Sequence, residues 1–133
     1  MKRLLLILWG FLFLVSCGGG GGSSSGGGAT DPSLTLLNVT AGVPVGQSAR
    51  VDFRYNDSEG NITTVYIREQ FNTKDVTSNF SAGDFMISGT SGNTYFTISY
   101  PTVASRGQHA YEVWVIDAKG NRSNTLTFTI TVT

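Results

Sequence analysis

The chain predicts an all-β fold, a single antiparallel β-sandwich of about seven strands following a leader and a Gly/Ser-rich segment. Three observations predict it. From Asp31 onward, apolar and polar residues alternate with a period of two. Clusters of turn-forming residues part these runs at regular intervals, and no helical period of any length appears.

The strands follow in order. "LTLLNVT" near residue 36 opens the domain, and "ARVDFRY" places Val51, Phe53 and Tyr55 inward against Arg50, Asp52 and Arg54. "ITTVYIRE" offers Val65 and Ile67, a short segment around "DFMIS" adds a further strand, and "TYFTISY" offers Phe96, Ile98 and Tyr100. "YEVWVID" turns Tyr111, Val113 and Val115 inward and Glu112, Trp114 and Ile116 outward. The last run, "NTLTFTITVT", sets Leu126, Phe128, Ile130 and Val132 against a wet face of threonines, the pattern of a half-buried strand. The separating turns are "GVPVGQ", "NDSEGN", "SGTSGN", "ASRGQ" and "DAKGN".

Composition narrows the function classes. Outside the leader, seven basic residues face nine acidic ones, so neither nucleic acid nor an anionic lipid surface is expected as an electrostatic partner. Cys17 is the only cysteine of the 133 residues; an intrachain disulfide and a cysteine-based zinc site are both excluded.

The leader, "MKRLLLILWGFLFLVSC", begins with two cations and continues with the apolar run Leu4 to Val15. This is a secretory signal pattern, and the run falls short of the roughly 20 residues that span a bilayer. Its end, "LVSC", resembles the lipobox of bacterial lipoproteins. The resemblance implies a signal peptide over residues 1–16, diacylglyceryl lipid (including palmitate) on Cys17, and Cys17 as the first mature residue. Gly18 in place of aspartate implies sorting to the outer membrane, facing the periplasm or the cell surface. Residues 17–30, a lipidated Cys followed by "GGGGGSSSGGGAT", then form a flexible tether with an r.m.s. span of about 20 Å. Residues 31–133 form the sandwich.

The stretch "GQHAYEVWVIDAKGNRSN" resembles the closing hairpin of bacterial immunoglobulin-like and PKD-like modules. That resemblance implies an immunoglobulin-like topology, with Tyr111 as a tyrosine corner bonded to nearby backbone.

Two loops share one pattern, Asp57-Ser58-Glu59-Gly60-Asn61 and Asp117-Ala118-Lys119-Gly120-Asn121. In an immunoglobulin-like topology they emerge at the same end. Turn chemistry accounts for the pattern, with Asp capping and Gly in the left-handed region. Asp57, Glu59 and Asp117 are also the candidate calcium ligands, since calcium takes six to eight oxygens. No other cofactor is expected. Tyr66, Arg68, Glu112 and Trp114 should share the outer face of one sheet, a composition typical of recognition surfaces. His109, the lone histidine, has no partner legible in the sequence and is expected to be structural, not a general base.

These readings converge on a membrane-anchored bacterial lipoprotein whose immunoglobulin-like domain is a non-catalytic binding, adhesion or structural module of the cell envelope, with an envelope protein or glycan as partner. The rival readings are a calcium-stabilised adhesin repeat and a small envelope enzyme with a loop carboxylate site.

Overall fold

The computed structural model describes residues 31–133; the expected signal peptide (1–16), Cys17 and the expected tether (17–30) lie outside the described residues. Eight strands form two facing sheets: β1 (Ser33–Val39), β2 (Gly42–Val43), β3 (Ser48–Asn56), β4 (Ile62–Phe71), β5 (Lys74–Ser81), β6 (Ser91–Ser99), β7 (Gly107–Asp117) and β8 (Leu126–Val132). One sheet has the order β1-β3-β6 and the other β2-β8-β7-β4-β5. All pairings are antiparallel except the short parallel contact of β2 with β8.

The period-two pattern predicts the core. Val51, Phe53 and Tyr55 of β3 meet Val65 and Ile67 of β4, Val113 and Val115 of β7, and the apolar face of β8, all buried. Phe53 packs edge-on against Phe96, which meets Phe85 in the same way. Such ring pairs add to stability beyond their buried area.

Three elements differ from the sequence expectation. The segment around "DFMIS" is not a strand: Ala82–Phe85 make one turn of 3-10 helix, capped by Ser81, whose Oγ accepts from the Gly83 N–H. The chain here crosses from the end of β5 in one sheet to the start of β6 in the other, so no neighbouring strand edge can pair with it. Phe85 and Ile87 fill the gap between the sheets instead. Two strands were not foreseen: β2, because Gly42 and Val43 of the expected turn "GVPVGQ" pair with the end of β8, and β5, whose "KDVTSNFS" has few apolar residues because it is a mostly exposed edge. Strand β5 joins β4 through a tight turn at Asn72, which takes the left-handed conformation.

The group "SGTSGN" is only in part a turn, since Ser91, Gly92 and Asn93 belong to β6. Gly92 is required there by the Tyr55 ring: a Cβ at this position would lie 2.6 Å from the Tyr55 hydroxyl, which donates to the Ser88 carbonyl at 2.7 Å. An absent side chain, not a turn, explains this glycine.

The two lateral openings of the sandwich are closed differently. At the β1/β2 side, Asn124 bonds both the N–H and the carbonyl of Leu34, clamping β1 to the loop before β8. At the β5/β6 side, the 3-10 turn covers one half only. The other half stays open.

Candidate functional site

Three side-chain constellations stand out: the paired Asp loops, the outer face of the larger sheet, and a buried polar chain beneath the open edge.

The paired loops lie side by side, as the immunoglobulin-like topology requires. The Ala118 N–H donates to the Asn61 carbonyl at 3.0 Å, and Lys119 is ion-paired with Glu59. Each loop is built by one hydrogen-bonding scheme. The Asp57 carboxylate accepts from the N–H groups of Glu59 (3.2 Å) and Asn61 (2.9 Å). Asp117 accepts from Lys119 and Asn121, both at 2.8 Å, and its second oxygen accepts from the Asn121 amide at 2.8 Å. Gly60 and Gly120 sit in the left-handed region and return their N–H groups to the Asp carbonyls.

Both aspartates are buried. Burial alone would raise the Asp117 pKa, but the hydrogen bonds from Asn121 and Lys119 outweigh it and hold the carboxyl below its ordinary value. The carboxylate oxygens are thus spent on their own turns, and no group of three acidic, His or Cys residues able to hold a metal exists among the described residues. This arrangement favours turn chemistry over calcium for Asp57, Glu59 and Asp117. Adding 1 mM calcium should therefore leave the thermal midpoint unchanged; a site with a Kd of roughly 10 μM would add about 2.7 kcal/mol and shift it visibly.

On the larger sheet, β4 and β7 are direct neighbours, with Tyr66 opposite Trp114 and Arg68 opposite Glu112. The Tyr66 and Trp114 rings stack at 5.3 Å with an interplanar angle of 2°. The Arg122 guanidinium lies 4.4 Å from the Trp114 ring centre on this face, a cation–π contact. Beside this row, Arg68 bonds Glu112 at 3.1 Å and forks onto Asp75 of β5. The bonds to Asp75 and then Glu112 raise the Arg68 pKa further, and Arg68 in turn lowers that of Asp75. The structure brings together the four residues expected on this face. It adds two, Asp75 and Arg122, that the sequence reading missed: Asp75 lies on β5, a strand not foreseen, and Arg122 lies past a turn, where no period applies.

The third constellation was legible only as a pattern left unused. Val65 and Ile67 point inward, so the same alternation turns Glu69 inward too, and His109 stands two residues before inward Tyr111. Glu69 Oε1 accepts from His109 Nδ1 at 2.7 Å and from the Tyr111 hydroxyl at 2.8 Å. Tyr111 and Tyr100 share a hydroxyl–hydroxyl bond of 2.7 Å, and His109 Nε2 faces the Ser105 carbonyl at 2.9 Å. Tyr111 is therefore not a corner bonded to backbone. Its hydroxyl meets two side chains because Glu69 and Tyr100 face it inside the sandwich. Burial, first, and then the neighbouring hydroxyl raise the Tyr111 pKa well above 10; burial, against the Tyr111 bond, raises that of Tyr100. Phe71 stacks on His109 at 4.1 Å.

No protein-family model matches the chain, and no curated protein matches it. Solved structures do. The PKD domain of an M14-like peptidase from a Thermoplasmatales archaeon superposes with a TM-score of 0.50 at 13% identity, over 77% of this chain and 93% of that one. A Niemann-Pick type C2 protein from the Japanese carpenter ant gives 0.57 at 6%, over 80% and 96%. The SrpA adhesin of Streptococcus sanguinis gives 0.55 at 18%, over 78% of this chain and 58% of that one. At these identities the likeness is one of fold. The chain carries an immunoglobulin-like β-sandwich of the kind seen in PKD modules.

Proposed function

We propose that this protein is a lipid-anchored bacterial envelope lipoprotein whose immunoglobulin-like domain is a non-catalytic recognition module. The observation that carries the recognition reading is the Tyr66–Trp114 stack on the exposed face of the larger sheet, with Arg68 and Arg122 fixed around it. Tyr, Trp and Arg dominate binding hot spots. Side chains already held by their neighbours lose less entropy when a partner arrives. One structural match is named an adhesin, which accords with such a role.

The anchoring reading rests on the leader, on Cys17 at its end and on the Gly/Ser segment that follows. Three acyl chains at about 0.8 kcal/mol per buried CH₂ would make the attachment stable, whereas one chain alone would be marginal. The chain enters the domain at β1, at the end that carries the paired Asp loops. The tether would therefore join beside these loops, leaving the outer sheet face free to meet a partner.

The enzyme reading has little geometric support. Both ring nitrogens of His109 are engaged by Glu69 and the Ser105 carbonyl, so neither is open to a substrate proton. The loop carboxylates are closed off by their own N–H donors.

Two measurements test the proposal. Mass spectrometry of the processed protein should show the N-terminal Cys17 carrying diacylglyceryl, and Cys17→Ser should move the protein from the membrane to the soluble fraction; an unmodified thiol refutes the anchor. Purified cell-wall sacculi and solubilised envelope proteins should retain the wild-type domain, and Trp114→Ala with Tyr66→Ala should weaken retention by about tenfold or more. The same double variant should remain folded by circular dichroism, because both side chains lie on the outside of the sheet and leave the core between the sheets intact. Equal retention of both proteins removes the outer face from consideration.

A further inference from the structure

The open half of the β5/β6 edge leads into a cavity of about 330 Å³ between the sheets, within the size range of small-ligand sites. Its walls are mainly apolar: Ile67 and Phe71 from β4, Val76 and Phe80 from β5, Ile98 from β6 and Pro101 from the following loop. Of the polar groups in its wall, Glu69, His109, Tyr100 and Tyr111 bond one another and Ser99 bonds Ser48, and two further serines with Lys74 complete the polar lining. The interior therefore presents little unspent polarity to an occupant.

The mouth is different. Of the large hydrophobic residues that stand exposed, two belong to the cavity, Val76 (44%) and Val103 (89%). Beside them Lys74, exposed and part of the lining, forms no ion pair among the described residues. Arg106, which immediately follows the lining residue Ser105, forms none either. An apolar hollow ending at uncommitted cations is complementary to one alkyl chain with an anionic end.

We propose that this cavity binds a single-chain fatty-acyl carboxylate, the tail lying between the sheets and the carboxylate meeting Lys74. The cavity lies at the end of the sandwich opposite the start of β1, since Lys74 pairs with Phe71 at the far end of β4 while Ser33 pairs with Asn56 beside the Asp57 loop. Its mouth is thus remote from the point where the chain enters the domain, which favours a diffusing ligand over the chain's own lipid. The site is separate from the aromatic outer face and does not depend on it.

The test uses the mature chain carrying Cys17→Ser, which needs no detergent and removes any lipid of its own. Dodecanoate should displace the fluorescent amphiphile 1-anilinonaphthalene-8-sulfonate saturably, at one site per chain. Ser78→Phe, which adds a ring to the cavity wall, should abolish displacement while the circular dichroism spectrum is retained. Lys74→Glu, on the surface, should weaken dodecanoate by about tenfold and leave the neutral analogue dodecanol unchanged. Absence of saturable displacement overturns the proposal, as does displacement insensitive to Ser78→Phe. If dodecanoate and dodecanol bind alike and Lys74→Glu affects neither, the carboxylate assignment is wrong.

Discussion

Raising the pH from 10 to 12 should cost this domain several kcal/mol of stability, and Tyr111→Phe with Tyr100→Phe should abolish most of that loss. The two hydroxyls are buried and bonded to each other, and both hold their protons well above the ordinary tyrosine value of 10. Above pH 10 the unfolded chain releases these protons and the folded one keeps them. The native state then binds more protons than the unfolded state, so stability falls as pH rises. Each tyrosine contributes a slope of about 1.4 kcal/mol per pH unit at 25 °C once its unfolded form is ionised. Below pH 10 both states are protonated and the contribution is level. The double variant should begin lower at pH 7, since Glu69 loses the Tyr111 hydroxyl as a donor at a cost of roughly 1–2 kcal/mol. Its curve should then stay nearly flat where the wild type descends. Denaturant titrations at pH 8, 10, 11 and 12 followed by circular dichroism decide the matter: parallel curves for the two proteins would show that burial does not hold these protons.

How far the fold was legible follows from where each residue's environment is set. Strands β3, β7 and β8 bury one face against the opposite sheet, so their inward residues alternate and their class can be read locally. Strand β5 buries little, and its sequence lacks the alternation that burial imposes. The 3-10 turn at Ala82–Phe85 carries buried Ala82 and Phe85 because Phe85 plugs the sandwich, a tertiary cause that a strand and a crossing segment share. The outer face could be assigned because β4 and β7 pair in register, which puts Tyr66 on Trp114. Its arginine partners could not, since Asp75 and Arg122 arrive from elements with no periodic signature.

The buried chain from His109 to Tyr100 teaches a different lesson. A glutamate at an inward position of a strand is costly unless something receives it. Glu69, in phase with Val65 and Ile67, therefore announces a partner without naming it. The donors stand on β7, 40 and 42 residues away in sequence, and the pairing of β4 with β7 places them. Sequence spacing along one strand cannot specify a contact across two.

Asp117→Ala should lower stability by about 3 kcal/mol, because one side chain is the acceptor for three donors. Its removal leaves the N–H groups of Lys119 and Asn121 and the Asn121 amide without partners. The site is nearly sealed, with Asp117 only 2% exposed, and each orphaned donor costs about 1–3 kcal/mol where water cannot reach it. Partial access of water to the loop brings the sum to the lower end. For a domain of this size the midpoint should fall by roughly 15 °C. Asp117→Asn is the stricter probe, since it keeps the shape and replaces one acceptor oxygen with a donor group facing N–H donors. It should recover less than half of the loss.

The acid limb carries the same signature. Asp117 has a native pKa below its ordinary value of 3.8, so its contribution is present above that value and is lost as pH falls through the lower, native one. The alanine variant lacks this limb and should lose less stability than the wild type on acidification from pH 5 to pH 2. Lys119→Ala is the control. It removes only an ion pair whose lysine is 60% exposed, so it should change stability by no more than about 1 kcal/mol. If Asp117→Ala proves no worse than Lys119→Ala, the paired loops are held by backbone turns alone, and the shared Asp-x-x-Gly-Asn pattern has no energetic role in the fold.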